Sequence, residues 1–236
     1  MEKTIGILGG MGPEATLDLF GKIIAATPAA RDQDHLRVVI DSNPKVPDRT
    51  AAIVAGGESP VPAMTAGIRA LQRAGADFAV IPCVSAHAFI DELQAAGLPI
   101  LSMFAATVEY IRERHPAIRT VGLLATTGTL RAGRFATDLR RAGIQVLEPE
   151  ASDQEQIMAA IYAIKGASRP RAEIAADVRA VAERLAARGA AGIITGCTEL
   201  PLVLRPGELA LPVFDTLSIL ARAAVARAGV TPKTTE

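Results

Sequence analysis

The chain has 236 residues, half of them hydrophobic and 21% charged, which is enough apolar chain for one large or two small domains and excludes general disorder. Twenty-five basic residues balance twenty-five acidic ones, and six Phe, two Tyr and no Trp offer few stacking surfaces, so the footprint of a nucleic-acid binder is missing. Apolar runs such as Ile193-Ile194 fall far short of the ~20 residues that span a bilayer, and no membrane partner is expected.

Met1-Glu2-Lys3 leads straight into a strand-like run, unlike an export signal. Two cysteines in such a chain read as reduced thiols in the cytoplasm. Residues 4–8 form the first predicted strand. A helix follows from near Pro13, with Leu17, Phe20, Ile23 and Ile24 at helical spacing. Residues 37–40 are a second strand, ending in the turn-rich stretch 43–48. A helix over 65–73 stops at Gly75, and a strand over 78–81 ends at Pro82-Cys83. Ile157, Met158, Ile161 and Ile164, and the span 174–185, read as core-facing helices, and the tail 231–236 reads as frayed. Strands separated by single helices predict an α/β fold with mostly parallel sheets.

The chain also reads as written twice. Residues 3–10 are echoed by 119–126 at an offset of 116, residues 75–83 by 189–197 at 114, and 98–101 by 211–214 at 113. Three matches in one order at a nearly constant offset predict two similar halves related by a pseudo-twofold axis. The expected domains are 1–103 plus 215–236, and 104–214, with the active site in the cleft between them.

Each half carries one cysteine, Cys83 and Cys197, directly after a strand and before a predicted helix. Ligands of open parallel sheets bind outside the carboxyl ends of the strands. A helix N-terminus there stabilises an anion, which predicts a lowered thiol pKa. Two matched groups on opposite faces of one carbon suit inversion of a stereocentre, one removing a proton and the other delivering one. Two ordinary buried thiols are the plain alternative on residues alone. C-x-x-C spacing is absent, and no metal is expected.

The motifs 6–16 (Gly-Ile-Leu-Gly-Gly-Met-Gly-Pro-Glu-Ala-Thr), 43–50 (Asn-Pro-Lys-Val-Pro-Asp-Arg-Thr), 82–87 (Pro-Cys-Val-Ser-Ala-His), 124–129, 161–166 (Ile-Tyr-Ala-Ile-Lys-Gly) and 196–201 (Gly-Cys-Thr-Glu-Leu-Pro) go further. From Gly6 to about Thr216 the chain resembles the pyridoxal-phosphate-independent aspartate/glutamate racemase superfamily, and its aspartate branch best. The resemblance implies no cofactor, a homodimer, and Cys83 and Cys197 as the acid/base pair. Arg49 is implied as the clamp on one substrate carboxylate, which a guanidinium fork matches bidentately. Lys165 is implied as the contact for the second.

Met11-Gly12 and Thr126-Thr127 occupy equivalent places in the two halves and are expected to point N–H groups into the cleft. Thr198 is expected to serve the α-carboxylate, and His87 and Glu199 either tune the thiols or bond structurally. One departure stands out: after the first cysteine the family has Asn-Thr, and this chain has Val84-Ser85. Ser85 keeps a hydroxyl, whereas Val84 removes an amide worth ~1 kcal/mol or more in a dry site. The expected substrate is a small acidic amino acid, aspartate before glutamate. A Cys-dependent isomerase or decarboxylase of a related dicarboxylate is the second reading, and a non-catalytic dicarboxylate-binding protein the third.

Overall fold

The computed structural model of the chain describes residues 2–233. The first half runs β1 (Ile5–Gly9), α1 (Pro13–Ala26), β2 (Val38–Ser42), α2 (Arg49–Ala55), α3 (Val61–Arg73), β3 (Phe78–Val80), a 3₁₀ turn (Ser85–Phe89), α4 (Ile90–Gln94) and α5 (Met103–Arg114). The second half follows with β4 (Thr120–Ala125), α6 (Thr127–Ala132), α7 (Arg134–Arg141), β5 (Gln145–Leu147), α8 (Ala151–Gly166) and α9 (Arg171–Ala187). It closes with β6 (Ile193–Gly196), a 3₁₀ turn (Leu200–Leu202), β7 (Val213–Asp215) and α10 (Thr216–Arg227). Among the described residues no helix is long and apolar enough to cross a membrane.

Every strand pair is parallel, and the two sheets share one order. The first is β2-β1-β3, extended by a bridge from Ala79 to Ile100; the second is β5-β4-β6-β7. Ala79 N–H donates to Pro99 O as Ile193 N–H donates to Pro212 O. The sequence echo at 98–101 and 211–214 is therefore an echo of strand position. β1 and the inner strands are buried along their length, as expected for sheets covered on both faces.

Three clusters of buried side chains support the sheets. One lies under α3 in the first half, one under α8 and α9 in the second, and the third joins α1, α5 and α10 to residues of both sheets. Asp215 caps α10 by accepting from the N–H groups of Leu217 and Ser218, a contact worth ~1 kcal/mol.

Some expectations need correction. α1 packs through Ala15, Leu19, Ile23 and Ala26, which recur every three or four residues; Leu17 is 70% and Ile24 41% exposed on the opposite face. α3 begins at Val61, four residues before the predicted start, because Pro62 in the first turn costs no intrahelical hydrogen bond. The tail is not loose where it is described: Lys233 N–H donates to Ala26 O at 2.8 Å. Residues 234–236 of the expected frayed tail lie outside the described residues.

Two glycines set the site's walls. Gly10 has φ +88°, and a Cβ there would lie 2.3 Å from the Asn43 carbonyl carbon, so the β1 exit rests against the 43–48 turn. At Gly128 a Cβ would lie 2.9 Å from Thr50 Cα, which lets α6 of the second half pack closely on α2 of the first.

His87 holds the segment carrying Cys83 in place. The Met103 N–H donates to its Nε2 at 3.1 Å, so Nδ1 carries the proton and donates to Cys83 O at 2.9 Å. The ring is fully buried, 5.0 Å from that of Phe104. Burial, with a smaller push from Arg134, lowers its pKa to about 4 against the backbone bond to Cys83. The neutral ring is thus the folded form. The unfolded chain takes up a proton below about pH 6.5 while the folded one does so only near 4. The stability from this group is full above pH 6.5 and falls by about 3 kcal/mol on descending to pH 4. Urea unfolding of the parent chain should show that loss between pH 7 and 4.5, and His87→Gln should flatten it; an equal slope in both proteins refutes the assignment.

Candidate active site

The carboxyl ends of the two sheets meet at a small cavity of about 20 Å³ that both Cys83 and Cys197 line. Cys83 follows β3 and Cys197 follows β6, the equivalent strands, and both residues are buried. Met11 (after β1), Val84, Ser85, Thr126 (after β4), Thr198 and Glu199 complete the inner wall. Arg49, Thr50 and Asp48 approach from α2 and its cap, and Ile161, Tyr162 and Lys165 from α8.

Glu199 is the central polar group. It is only 4% exposed. Its Oε1 accepts from Lys165 Nζ at 2.6 Å and its Oε2 from Cys197 Sγ at 3.0 Å. Desolvation works against the charge on Lys165, but the Glu199 carboxylate, with smaller help from the cysteine sulfurs where they ionise, outweighs it, and the ammonium pKa is raised. The Cys197 thiol is pushed well up, by burial first and by the Glu199 charge second, with Lys165 pulling against both. This corrects the expectation of a lowered thiol pKa there. Each cysteine precedes a short 3₁₀ turn and not an α-helix, so the expected helix end is missing, and at Cys197 burial and the Glu199 carboxylate oppose the thiolate.

Hydroxyls stitch the halves together around the thiols. Thr198 Oγ1 lies 3.3 Å from Pro82 O, at the residue before Cys83, and 3.4 Å from Glu199 Oε2. Ser85 Oγ lies 2.8 Å from Thr126 Oγ1 and 3.1 Å from Thr129 Oγ1, and the two threonine oxygens are 3.1 Å apart. Thr126 also caps α6 by accepting from Thr129 N–H. Val84 is buried beside this cluster and contributes apolar wall.

Arg49 is gripped by carbonyls. Its Nη1 donates to Val46 O at 3.1 Å and Pro47 O at 2.8 Å, and Nη2 reaches Met11 O at 3.5 Å. Its Nε is buried and has no partner. A guanidinium held by neutral oxygens keeps its full charge for an anion.

Thr127 is not part of the cavity. Its N–H is taken by Met158 Sδ at 3.2 Å and its hydroxyl accepts from Gln154 Nε2, because α8 packs over the start of α6. Gly12 faces a neighbouring chamber beyond the Glu199–Lys165 pair. His87 reaches the Cys83 carbonyl and lines neither space. Nothing in the sequence alone marks Thr129, Asp48 or Thr50 as part of the site. Tyr162 had a readable signal, since it precedes Lys165 by three residues on one helix face. Among the described residues no cluster of three or more His, Cys, Asp or Glu side chains is arranged to ligate a metal ion.

Comparison with known proteins places this arrangement. The broad specificity amino-acid racemase RacX of Bacillus subtilis is 28% identical over 230 residues, covering 94% of this chain and 96% of RacX. The structure of Picrophilus torridus aspartate racemase superposes with a TM-score of 0.88 at 30% identity, over 98% of this chain and 96% of that one. Glutamate racemase from Francisella tularensis in complex with D-glutamate shares the fold at 15% identity, with a TM-score of 0.69 over 100% of this chain and 85% of that one. Residues 8–224 match the description Asp/Glu/Hydantoin racemase. A duplicated α/β chain with a cysteine at the end of each equivalent strand thus belongs to the Asp/Glu/hydantoin racemase family.

Proposed function

We propose that the protein is a cofactor-independent racemase of an acidic amino acid, aspartate first and glutamate second, acting by proton transfer between Cys83 and Cys197. The observation that carries this reading is that the two thiols, 114 positions apart, line one buried cavity. A substrate carboxylate bonds to the Arg49 guanidinium, whose Nε lacks a partner. A second carboxylate is drawn to Lys165. The Cα–H then lies between the sulfurs.

In one direction the Cys83 thiolate takes the Cα proton while the Cys197 thiol delivers its own to the opposite face. The raised pKa of Cys197 favours that protonated starting form. After the transfer Cys83 is the thiol and Cys197 the thiolate, which is the starting state for the reverse direction. Charge building on the carboxylate beside Cα is stabilised by the fixed Arg49 and by the dry surroundings.

The same reading assigns 1–103 plus 215–236 to one domain and 104–214 to the other. Support comes from the packing of α10 on α1 and the bond from Lys3 N–H to Ala228 O. Reduced thiol chemistry fits a cytoplasmic setting. The exposed Leu17 and Ile24 on α1 fit a homodimer contact, which sedimentation equilibrium tests: a monomer at all concentrations refutes it.

Purified protein incubated with L- or D-aspartate in D₂O should place deuterium at Cα and interconvert the enantiomers. Cys83→Ala and Cys197→Ala should each lower interconversion by about 10³-fold or more, and full activity in either variant refutes the two-base scheme. Glu199→Gln removes the charge that holds the Cys197 thiol up. Ultraviolet titration of the thiolate should therefore find Cys197 ionising at lower pH than in the parent, and an unmoved titration overturns that role for Glu199.

A further inference from the structure

A second chamber adjoins the cysteine cavity. It measures about 450 Å³, and Met11, Asp48, Arg49, Lys165 and Glu199 form a wall common to both spaces. Its far side is built by the β1–α1 loop and the 43–48 turn, where Pro13, Pro44 and Val46 supply apolar surface. The cysteine cavity itself, at about 20 Å³, holds little more than one water. It is the narrower of the two spaces, so bulk at Cβ, next to the reacting carbon, is the hardest to place.

We infer that the outer chamber is a side-chain subsite, and that the enzyme takes α-amino acids with unbranched side chains longer than aspartate's, uncharged polar ends as readily as carboxylates. The inference rests on the racemase reading and widens its substrate class. With the reacting carbon between the thiols and the α-carboxylate on Arg49, the remaining substituent leaves through the shared wall. That wall holds two cations, Arg49 and Lys165, against two carboxylates, Asp48 and Glu199, and Glu14 adds a third carboxylate to the chamber, so its lining offers no net positive charge.

Lys165 is also already bonded to Glu199 at 2.6 Å. A side-chain carboxylate gains from this ammonium, as in the acidic substrates, and loses to the Glu199 charge beside it. An amide or hydroxyl meets no such conflict, because it accepts from Lys165 and donates to Glu199 at the same time. Gly12 leaves the pair open to the chamber: a Cβ there would stand 3.4 Å from Glu199 Oε1 and 3.9 Å from Lys165 Nζ.

The test is Cα deuterium incorporation by the full chain in D₂O, read by proton NMR, with L-aspartate, L-glutamate, L-glutamine and L-valine offered separately. Glutamine should exchange within about tenfold of aspartate, and valine at least about tenfold more slowly than either. Pro44→Trp, an exposed position outside the cysteine cavity, fills the chamber and should lower the glutamine-to-aspartate ratio of kcat/KM by about tenfold. Exchange of aspartate without glutamine, or a ratio unmoved by Pro44→Trp, overturns the inference and leaves the racemase reading intact. No exchange with any of the four overturns both.

Discussion

The buried Glu199 carboxylate governs the geometry of the site. A lone charge at 4% exposure would cost several kcal/mol; Lys165 neutralises it at one oxygen and the Cys197 thiol occupies the other. The end of α8 is thereby fixed against the loop after β6. Burial first, and then the same carboxylate that anchors the ammonium, push the Cys197 thiol pKa up. The Lys165 ammonium and the Cys197 thiol are consequently coupled through one side chain.

The cavity exists because of how two domain-like halves meet. Each sheet has its own core cluster, and a third, shared cluster brings α1, α5 and α10 together with residues of both sheets. At the seam the contacts are polar and short: Thr198 reaches Pro82, and Ser85 reaches Thr126 and Thr129. Gly128 allows α6 to come against Thr50 with no side chain between them. Apolar packing therefore sets the approach of the halves, and hydroxyls set their register around the sulfurs.

Much of this was legible in the sequence where the signal is local. Short β-branched runs marked the strands, and the recurrence at offsets of 116, 114 and 113 anticipated the shared strand order. The cysteines at equivalent strand ends pointed to one cavity. What escaped depended on segments far apart in the chain. The period of α1 is visible in the sequence but not which side α10 covers, and Leu17 and Ile24 lie on the exposed side. The sequence points the Thr127 N–H into the cleft because nothing near it reveals Met158 above it. The direction of the Cys197 ionisation depends first on burial, which is not written in the Gly-Cys-Thr-Glu string, and only second on the Glu199 charge that ends that string.

The duplication also has unequal descendants. Two residues after one cysteine stands Glu199; two residues after the other stands Ser85, a neutral hydroxyl turned toward threonines. For mirror-image reactant and product the equilibrium constant is one by symmetry, whatever surrounds the sulfurs. Thermodynamic balance then obliges kcat/KM to be equal for the two enantiomers. Unlike neighbours alter only how each ratio divides between turnover and saturation, so the imbalance between the halves is a purely kinetic signature, invisible once the solution has become racemic.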